Sequence, residues 1–160
     1  MSETPTVFEL HPQLRKDCQV IGRFSLCQLL LMGDAHYPWF ILVPQRQAVS
    51  EIFELDWEDQ VQLLRESSGL ARALTRAFNP DKLNIAALGN VVPQLHVHHI
   101  VRYRDDVAWP APVWGRSPAR PYSEAERTAL LARLTPLLAA ELVLERPEAG
   151  SPRASNGAWS

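Results

Sequence analysis

The chain has 160 residues, a length typical of one domain, and 46% of them are hydrophobic, which is enough for one core. A formal charge of −2 and an isoelectric point near 6.2 exclude the basic surface of a nucleic-acid-binding protein, so we expect no nucleic-acid partner. No apolar run is long enough to cross a bilayer and the N-terminus has no signal-peptide pattern, which predicts no membrane association. The two cysteines, Cys18 and Cys27, are interpreted as free thiols of a cytoplasmic protein.

The first part of the chain predicts a short helix followed by three strands. Residues 9–17 favour the helix, since a proline stands in the first turn. Cys18–Ile21 and Leu26–Met32 predict two strands separated by a bend. Trp39–Val43 is apolar at every position, which is typical of a strand covered on both faces.

A long amphipathic helix and two more strands follow. Apolar residues recur at spacings of three, four or seven over 57–78, which predicts one helix with a single apolar stripe that ends before Pro80. Lys82–Leu88 and Leu95–Arg102 predict the two strands. The short links between the elements favour antiparallel pairing.

The C-terminal part has a different character. Residues 105–121 are rich in proline and tryptophan, which predicts an extended, packed segment. Ser123 and Glu126 form a capping-box pattern that predicts the start of a helix, and Pro136 must kink or end it. Residues 146–160 have the composition of a flexible tail.

The most informative segment is the last predicted strand, which carries three histidines. Strand alternation places one set of side chains on a common face: Gln94, His96, His98, Ile100 and Arg102. His99 falls on the opposite, mostly apolar face, where a structural role is expected. Neighbours on one face lie roughly 6.5–7 Å apart, close enough to contact a single phosphate group. We therefore expect Gln94, His96 and His98 to open into a polar-lined cleft.

Two kinds of chemistry fit such a cluster. A neutral imidazole, with an unperturbed pKa of about 6.5, is a competent nucleophile that can form a covalent intermediate with phosphorus. A His-x-His pair is also a common zinc ligand pair, which makes a zinc-dependent hydrolase an alternative. The sequence offers no clear third ligand, so we predict neither a metal nor a cofactor.

The segment NIAALGNVVPQLHVHHIVR resembles the signature of the histidine triad (HIT) superfamily, and DAHYPWFILVPQR resembles an earlier strand of the same family. Aligned from Gly89, the resemblance puts Gln94 at the first histidine of the triad, His96 at the nucleophile and His98 at the third histidine. A competing register would make His98 the nucleophile. Since Gln94 cannot carry a proton, protonation of the leaving group is the open point of this alignment.

The resemblance implies an α+β fold: a curved antiparallel sheet of about five strands with the long helix packed on it, and the Trp/Pro segment and last helix as an extension. We predict one domain over 1–145, with its core at about 15–104 and the extension at 105–145. The implied activity is that of a bacterial nucleotide hydrolase or transferase. It would cleave a phosphoanhydride or phosphoramidate bond of a nucleoside phosphate through a nucleotidyl-histidine intermediate, and would act as a homodimer. A non-catalytic nucleotide-binding protein is the alternative.

Nine side chains are candidates for the site. Asp34 would contact ribose hydroxyls because a carboxylate can accept two hydrogen bonds. Asn90 stands in a tight turn that could present donors to a phosphate. The candidates fall into three groups: the catalytic His96, His98 and Gln94, the phosphate-binding Asn90, Arg102 and Asn84, and the nucleotide-binding Asp34, Trp39 and Phe40.

Overall fold

The computed structural model describes residues 7–145, and in this range the chain forms three α-helices and one six-stranded sheet. The predicted tail at 146–160 lies outside the described residues. The elements in chain order are α1 (Pro12–Asp17), β1 (Cys18–Arg23), β2 (Cys27–Met32), β3 (Trp39–Pro44), α2 (Trp57–Phe78), β4 (Lys82–Ala86), β5 (Val97–Arg102), α3 (Glu124–Leu134) and β6 (Val143–Leu144).

All neighbouring strands pair antiparallel, in the order β4-β5-β3-β2-β1-β6. β1, β2 and β3 form a meander, whereas β5 lies between β3 and the edge strand β4. α2 connects β3 to β4 and packs its apolar stripe on one face of the sheet. The predicted α+β fold with a long helix on an antiparallel sheet is confirmed.

The sixth strand was not predicted from the sequence. β6 comes from the C-terminal extension and pairs with the end of β1, where Gly22 lies opposite Leu144. A Cβ atom at Gly22 would collide with the carbonyl oxygen of Val143. Glycine therefore permits the close approach by which the extension joins the sheet.

The two faces of the sheet bury two separate clusters. Side chains such as Phe40, Val97 and Val101 point toward α2, whereas Trp39, Ile41 and Ile100 point to the opposite face. The second cluster is covered by the N-terminal residues around α1 and by part of the 105–121 segment. The alternation predicted for the histidine strand is therefore confirmed.

β5 begins later than predicted, at Val97 instead of Leu95. Pairing of β4 with β5 ends at Ala86 opposite His98, and the chain then leaves the sheet through Gly89, which has a left-handed φ of 76°. The backbone N–H of Leu95 bonds to the carbonyl of Val49 instead of a sheet partner. Thus the histidine motif begins in an irregular segment and enters the strand only after His96.

Candidate active site

His96 immediately precedes β5, and one of its ring nitrogens is fixed by the backbone. Its Nδ1 is 2.7 Å from the carbonyl oxygen of Gln94. A carbonyl only accepts, so Nδ1 carries the proton and Nε2 carries the lone pair. This is the backbone contact that a nucleophilic imidazole requires. His96 is only 2% exposed.

His98 has the opposite tautomer. The indole Nε1–H of Trp39 donates to His98 Nδ1 at 3.0 Å. Because an indole N–H only donates, Nδ1 must accept and the proton of a neutral His98 resides on Nε2. Trp39 and His98 are both buried, and their rings are in contact.

The two imidazoles are neighbours in the same site. Their ring centroids are 4.9 Å apart, with the rings nearly perpendicular. Burial lowers the pKa of His96, although its bond to Gln94 opposes this shift. Burial, together with repulsion from His96 and His99, lowers the pKa of His98 to about 3. Both rings are therefore neutral at physiological pH.

A cleft adjoins both histidines. Residues 88–92, between β4 and β5, form one wall, and Trp114 of the C-terminal extension forms another. Trp114 packs edge-on against His98, with ring centroids 5.2 Å apart. The expectation of a polar lining was wrong, since apart from the two histidines and Asn90 the lining residues are apolar or glycine.

Gln94 does not line this cleft, contrary to prediction, although it occupies the position expected for the first histidine. Its Oε1 accepts from the backbone N–H of His11 at 2.9 Å, and its Nε2 donates to the carbonyl of Glu9 at 3.0 Å. The amide group thus holds the N-terminal segment beside His96.

Two predicted phosphate-binding residues instead form a buried ion-pair network. Arg102 is 1% exposed and binds both carboxylate oxygens of Asp106, at 2.7 and 3.0 Å. The guanidinium also donates to the side-chain oxygen of Asn84 at 2.7 Å and to the carbonyl of Ala111 at 2.9 Å. Arg102 and Asn84 therefore anchor the extension to the sheet, and their assignment to a phosphate was wrong. Asn90 does line the cleft.

The nucleotide-binding group is also corrected. Phe40 is fully buried under α2, on the face opposite the two cleft histidines, and cannot reach a nucleotide there. Asp34 is 6% exposed, and its Oδ1 is bound by the backbone and ring of His36 and by the backbone N–H of Arg120. Trp39 lies on the correct face but orients His98 and does not line the cleft.

His99 is a structural residue, as predicted. Its Nδ1 donates to the carbonyl of Val97 at 3.1 Å, and Ser67 of α2 donates to its Nε2 at 2.7 Å. Burial lowers the pKa of His99 to about 4. The neutral ring therefore joins the strand to the helix on the face away from the cleft.

Residues 7–145 contain no cluster of three or more histidine, cysteine or carboxylate side chains that could hold a metal ion. Both cysteines are free. Within the same range no helix is sufficiently long and apolar to traverse a membrane.

Sequence reasoning missed His11 and Trp114. Both lie outside the motif in sequence and are brought to it by long-range contacts. The one available signal for Trp114 was the surplus of tryptophan and proline at 105–121.

The family model described as "HIT domain" matches residues 13–105. A histidine triad protein of Marinobacter aquaeolei VT8 is 50% identical, with a TM-score of 0.82, over 84% of this chain and 98% of that one. A histidine triad protein of Bradyrhizobium japonicum is 45% identical, with a TM-score of 0.80, over 81% and 97% of the two chains. A third, from Sinorhizobium meliloti 1021, is 46% identical, with a TM-score of 0.81, over 83% and 98%. No curated protein matches the chain.

The family model covers more than half of the chain, and its match ends just beyond the histidine strand. The chain is a member of the histidine triad family.

Proposed function

We propose that this protein is a nucleotide hydrolase or transferase that cleaves a phosphoanhydride or phosphoramidate bond of a nucleoside phosphate through a nucleotidyl-His96 intermediate. The opposite tautomers of the two cleft histidines carry this proposal. His96 has its lone pair on Nε2, whereas His98 has its proton there. One ring is thus prepared to attack and its neighbour to donate a hydrogen bond.

In the first step, Nε2 of His96 attacks phosphorus. A nitrogen–phosphorus bond forms, the bond to the leaving group breaks, and the leaving group takes a proton from solvent. The ring then bears a positive charge, which the carbonyl of Gln94 stabilises through the Nδ1–H. In the second step, water or another acceptor attacks phosphorus and releases its proton to solvent, the nitrogen–phosphorus bond breaks, and neutral His96 is regenerated.

His98 and Asn90 contribute to the stabilisation of charge on the phosphate. Neutral His98 donates through Nε2 to a non-bridging oxygen, on which charge increases in the transition state. Asn90 borders the same cleft in the turn that Gly89 begins. The nucleoside would lie against the apolar wall and Trp114.

The same contacts favour His96 over His98 as the nucleophile. His98 could attack only after losing either the hydrogen bond that Trp39 donates to its Nδ1 or the proton on its Nε2, whereas the backbone contact of His96 already places the proton on Nδ1 and the lone pair on Nε2. The competing sequence register is therefore the weaker one.

The test is a single-turnover reaction with adenosine 5′-phosphoramidate and with diadenosine polyphosphates, followed by mass-spectrometric search for a His96 adduct. His96→Ala should abolish adduct and turnover, whereas nucleotide binding largely survives. His98→Ala should slow the rate by about 10²-fold, the usual effect of removing one charge-stabilising donor. Binding without any adduct would indicate a non-catalytic nucleotide-binding protein. An inactive His98→Ala beside an active His96→Ala would reverse the roles of the two residues.

We also propose a homodimer formed through the edge strand β4. Ile85 on β4 is 50% exposed, and the nearby Leu88 and Val91 are also exposed. The 105–121 segment packs within its own chain, so we place the dimer interface at β4. Light scattering should show a dimer at micromolar concentration and a monomer for Ile85→Lys; a wild-type monomer would contradict this.

The free thiols of Cys18 and Cys27 favour a cytoplasmic location for the activity.

A further inference from the structure

The N-terminal segment is fixed on the same face of the sheet as the cleft histidines. Leu10 and Leu14 are buried there in the cluster that includes Ile41 and Ile100. Gln94 binds the backbone on both sides of Leu10, at Glu9 and at His11. His11, far away in sequence, is thereby held next to Gln94, which stands two positions before His96.

The ring of His11 has a defined tautomer. Its Nδ1 accepts a hydrogen bond from the backbone N–H of Gln13 at 3.1 Å. The proton of the neutral ring must then reside on Nε2, as in His98. The ring is half-buried, and residue 11 lies beside His96 because Gln94 binds both residues, the backbone N–H of His11 through its Oε1 and Nδ1 of His96 through its carbonyl oxygen.

We propose that His11 supplies the third imidazole of this site and donates its Nε2–H to a non-bridging oxygen of the substrate phosphate. This inference rests on the function proposed above. It explains the glutamine at the first position of the motif: Gln94 does not meet the substrate itself but positions a residue that does.

His11 acts as a hydrogen-bond donor, and no covalent bond at the residue changes. A proton added to Nδ1 would face the N–H of Gln13, so transferring a proton through the ring would break the contact that orients it. The substrate oxygen gains negative charge as His96 attacks, and a donor already in place stabilises that charge.

The informative variant is His11→Asn. Asparagine can accept the hydrogen bond from Gln13, as at other helix N-caps, but cannot extend a donor as far as Nε2 does. Gln13→Ala is the matched control on α1, because it removes the 2.6 Å bond to Asp17 without altering an imidazole. Thermal unfolding of each variant verifies the fold, and His11→Ser replaces His11→Asn if the latter does not fold.

The rate of adduct formation is measured with adenosine 5′-phosphoramidate and with the two diastereomers of its phosphorothioate analogue. His11→Asn should slow the oxygen substrate by about 10²-fold, the effect of losing one donor to the transition state. Sulfur accepts hydrogen bonds poorly, so the diastereomer with sulfur toward His11 should be slowed much less by the same substitution. The other diastereomer should behave like the oxygen substrate, and Gln13→Ala should react like wild type with all three.

Three results would overturn the assignment. An unchanged rate in His11→Asn would show that the ring does not contact the substrate. Equal slowing of all three substrates would show a structural role without a direct hydrogen bond. If the wild type forms no adduct with any substrate, the proposed function fails and this inference fails with it; the first two results leave the proposed function intact.

Discussion

Acid should unfold this protein at a higher pH than its carboxylates alone would require, because it buries neutral histidines. The folded-state pKa is about 3 for His98 and about 4 for His99, and burial also lowers the pKa of His96. In the unfolded chain each ring titrates near a pKa of about 6.5. At a pH between the folded and the unfolded pKa values, the unfolded state binds more protons than the folded state. The stability that the neutral histidines contribute is therefore fully present above pH 6.5 and is lost as the pH falls below it.

The magnitude follows from the difference in bound protons. Lowering the pH from 7 to 5 changes the proton-binding free energy of an unfolded histidine by about 2 kcal/mol. His98 and His99 remain neutral in the folded state at pH 5, so together they should cost about 4 kcal/mol over this interval. That is a large share of the roughly 5–15 kcal/mol by which a domain is usually stable.

The assay is urea unfolding at several pH values between 5 and 7. The slope of unfolding free energy against pH should approach about 1.4 kcal/mol per unit for each buried neutral histidine. His99→Gln should reduce that slope by about one proton, because it removes one histidine that is neutral when folded and titrates when unfolded. A slope of less than one proton between pH 5 and 6, or one that His99→Gln does not alter, would refute the reasoning.

Two further predictions concern buried polar contacts. Asp106→Asn should reduce the unfolding free energy by about 3–5 kcal/mol in urea titrations, because it leaves the charge of Arg102 buried without its partner. Asp59→Asn, which breaks the exposed pair with Arg46, should cost less than about 1 kcal/mol. Equal effects of the two substitutions would contradict this prediction. Trp39→Phe keeps the aromatic ring but removes the donor to His98, so nitrogen-15 spectra should lose the single Nε2–H tautomer of His98; an unchanged spectrum would show that the indole does not fix it.

The parts of the fold governed by periodicity were predictable from the sequence. The spacing of apolar residues located α2 to the residue, and alternation assigned His98 and His99 to opposite faces. β6 was not predictable, because two residues with no repeating pattern join the sheet only where Gly22 permits close approach.

The candidate site was only partly predictable, because a side chain's partners are decided by tertiary contacts. Alternation placed Arg102 on the correct face, but it could not show that Asp106, in the irregular extension, would bind the guanidinium. Likewise, nothing local in the sequence indicates that Trp114 would pack on His98. The motif indicated where the candidate site lies, whereas contacts with the extension determined which of its side chains are engaged within the chain.

Gln94 is the position at which the motif and the structure lead to different expectations. If Gln94 merely replaced a catalytic histidine, Gln94→His should preserve or raise the rate. In the structure, however, its amide oxygen and nitrogen, borne on one carbon, hold His11 and Glu9 together. The nitrogens of an imidazole point in divergent directions, so Gln94→His should loosen this segment.

We therefore expect Gln94→His to lower the single-turnover rate. Two lost hydrogen bonds, each contributing about 0.5–1.5 kcal/mol, should raise amide hydrogen exchange at His11 by about 5–150-fold. Gln94→Glu separates the two contacts, since its carboxylate still accepts from His11 but cannot donate to Glu9, and its exchange rate should be intermediate. If Gln94→His instead increases the rate while exchange at His11 remains slow, the imidazole itself is what the first position lacks, and the glutamine is a substitution with no positioning role.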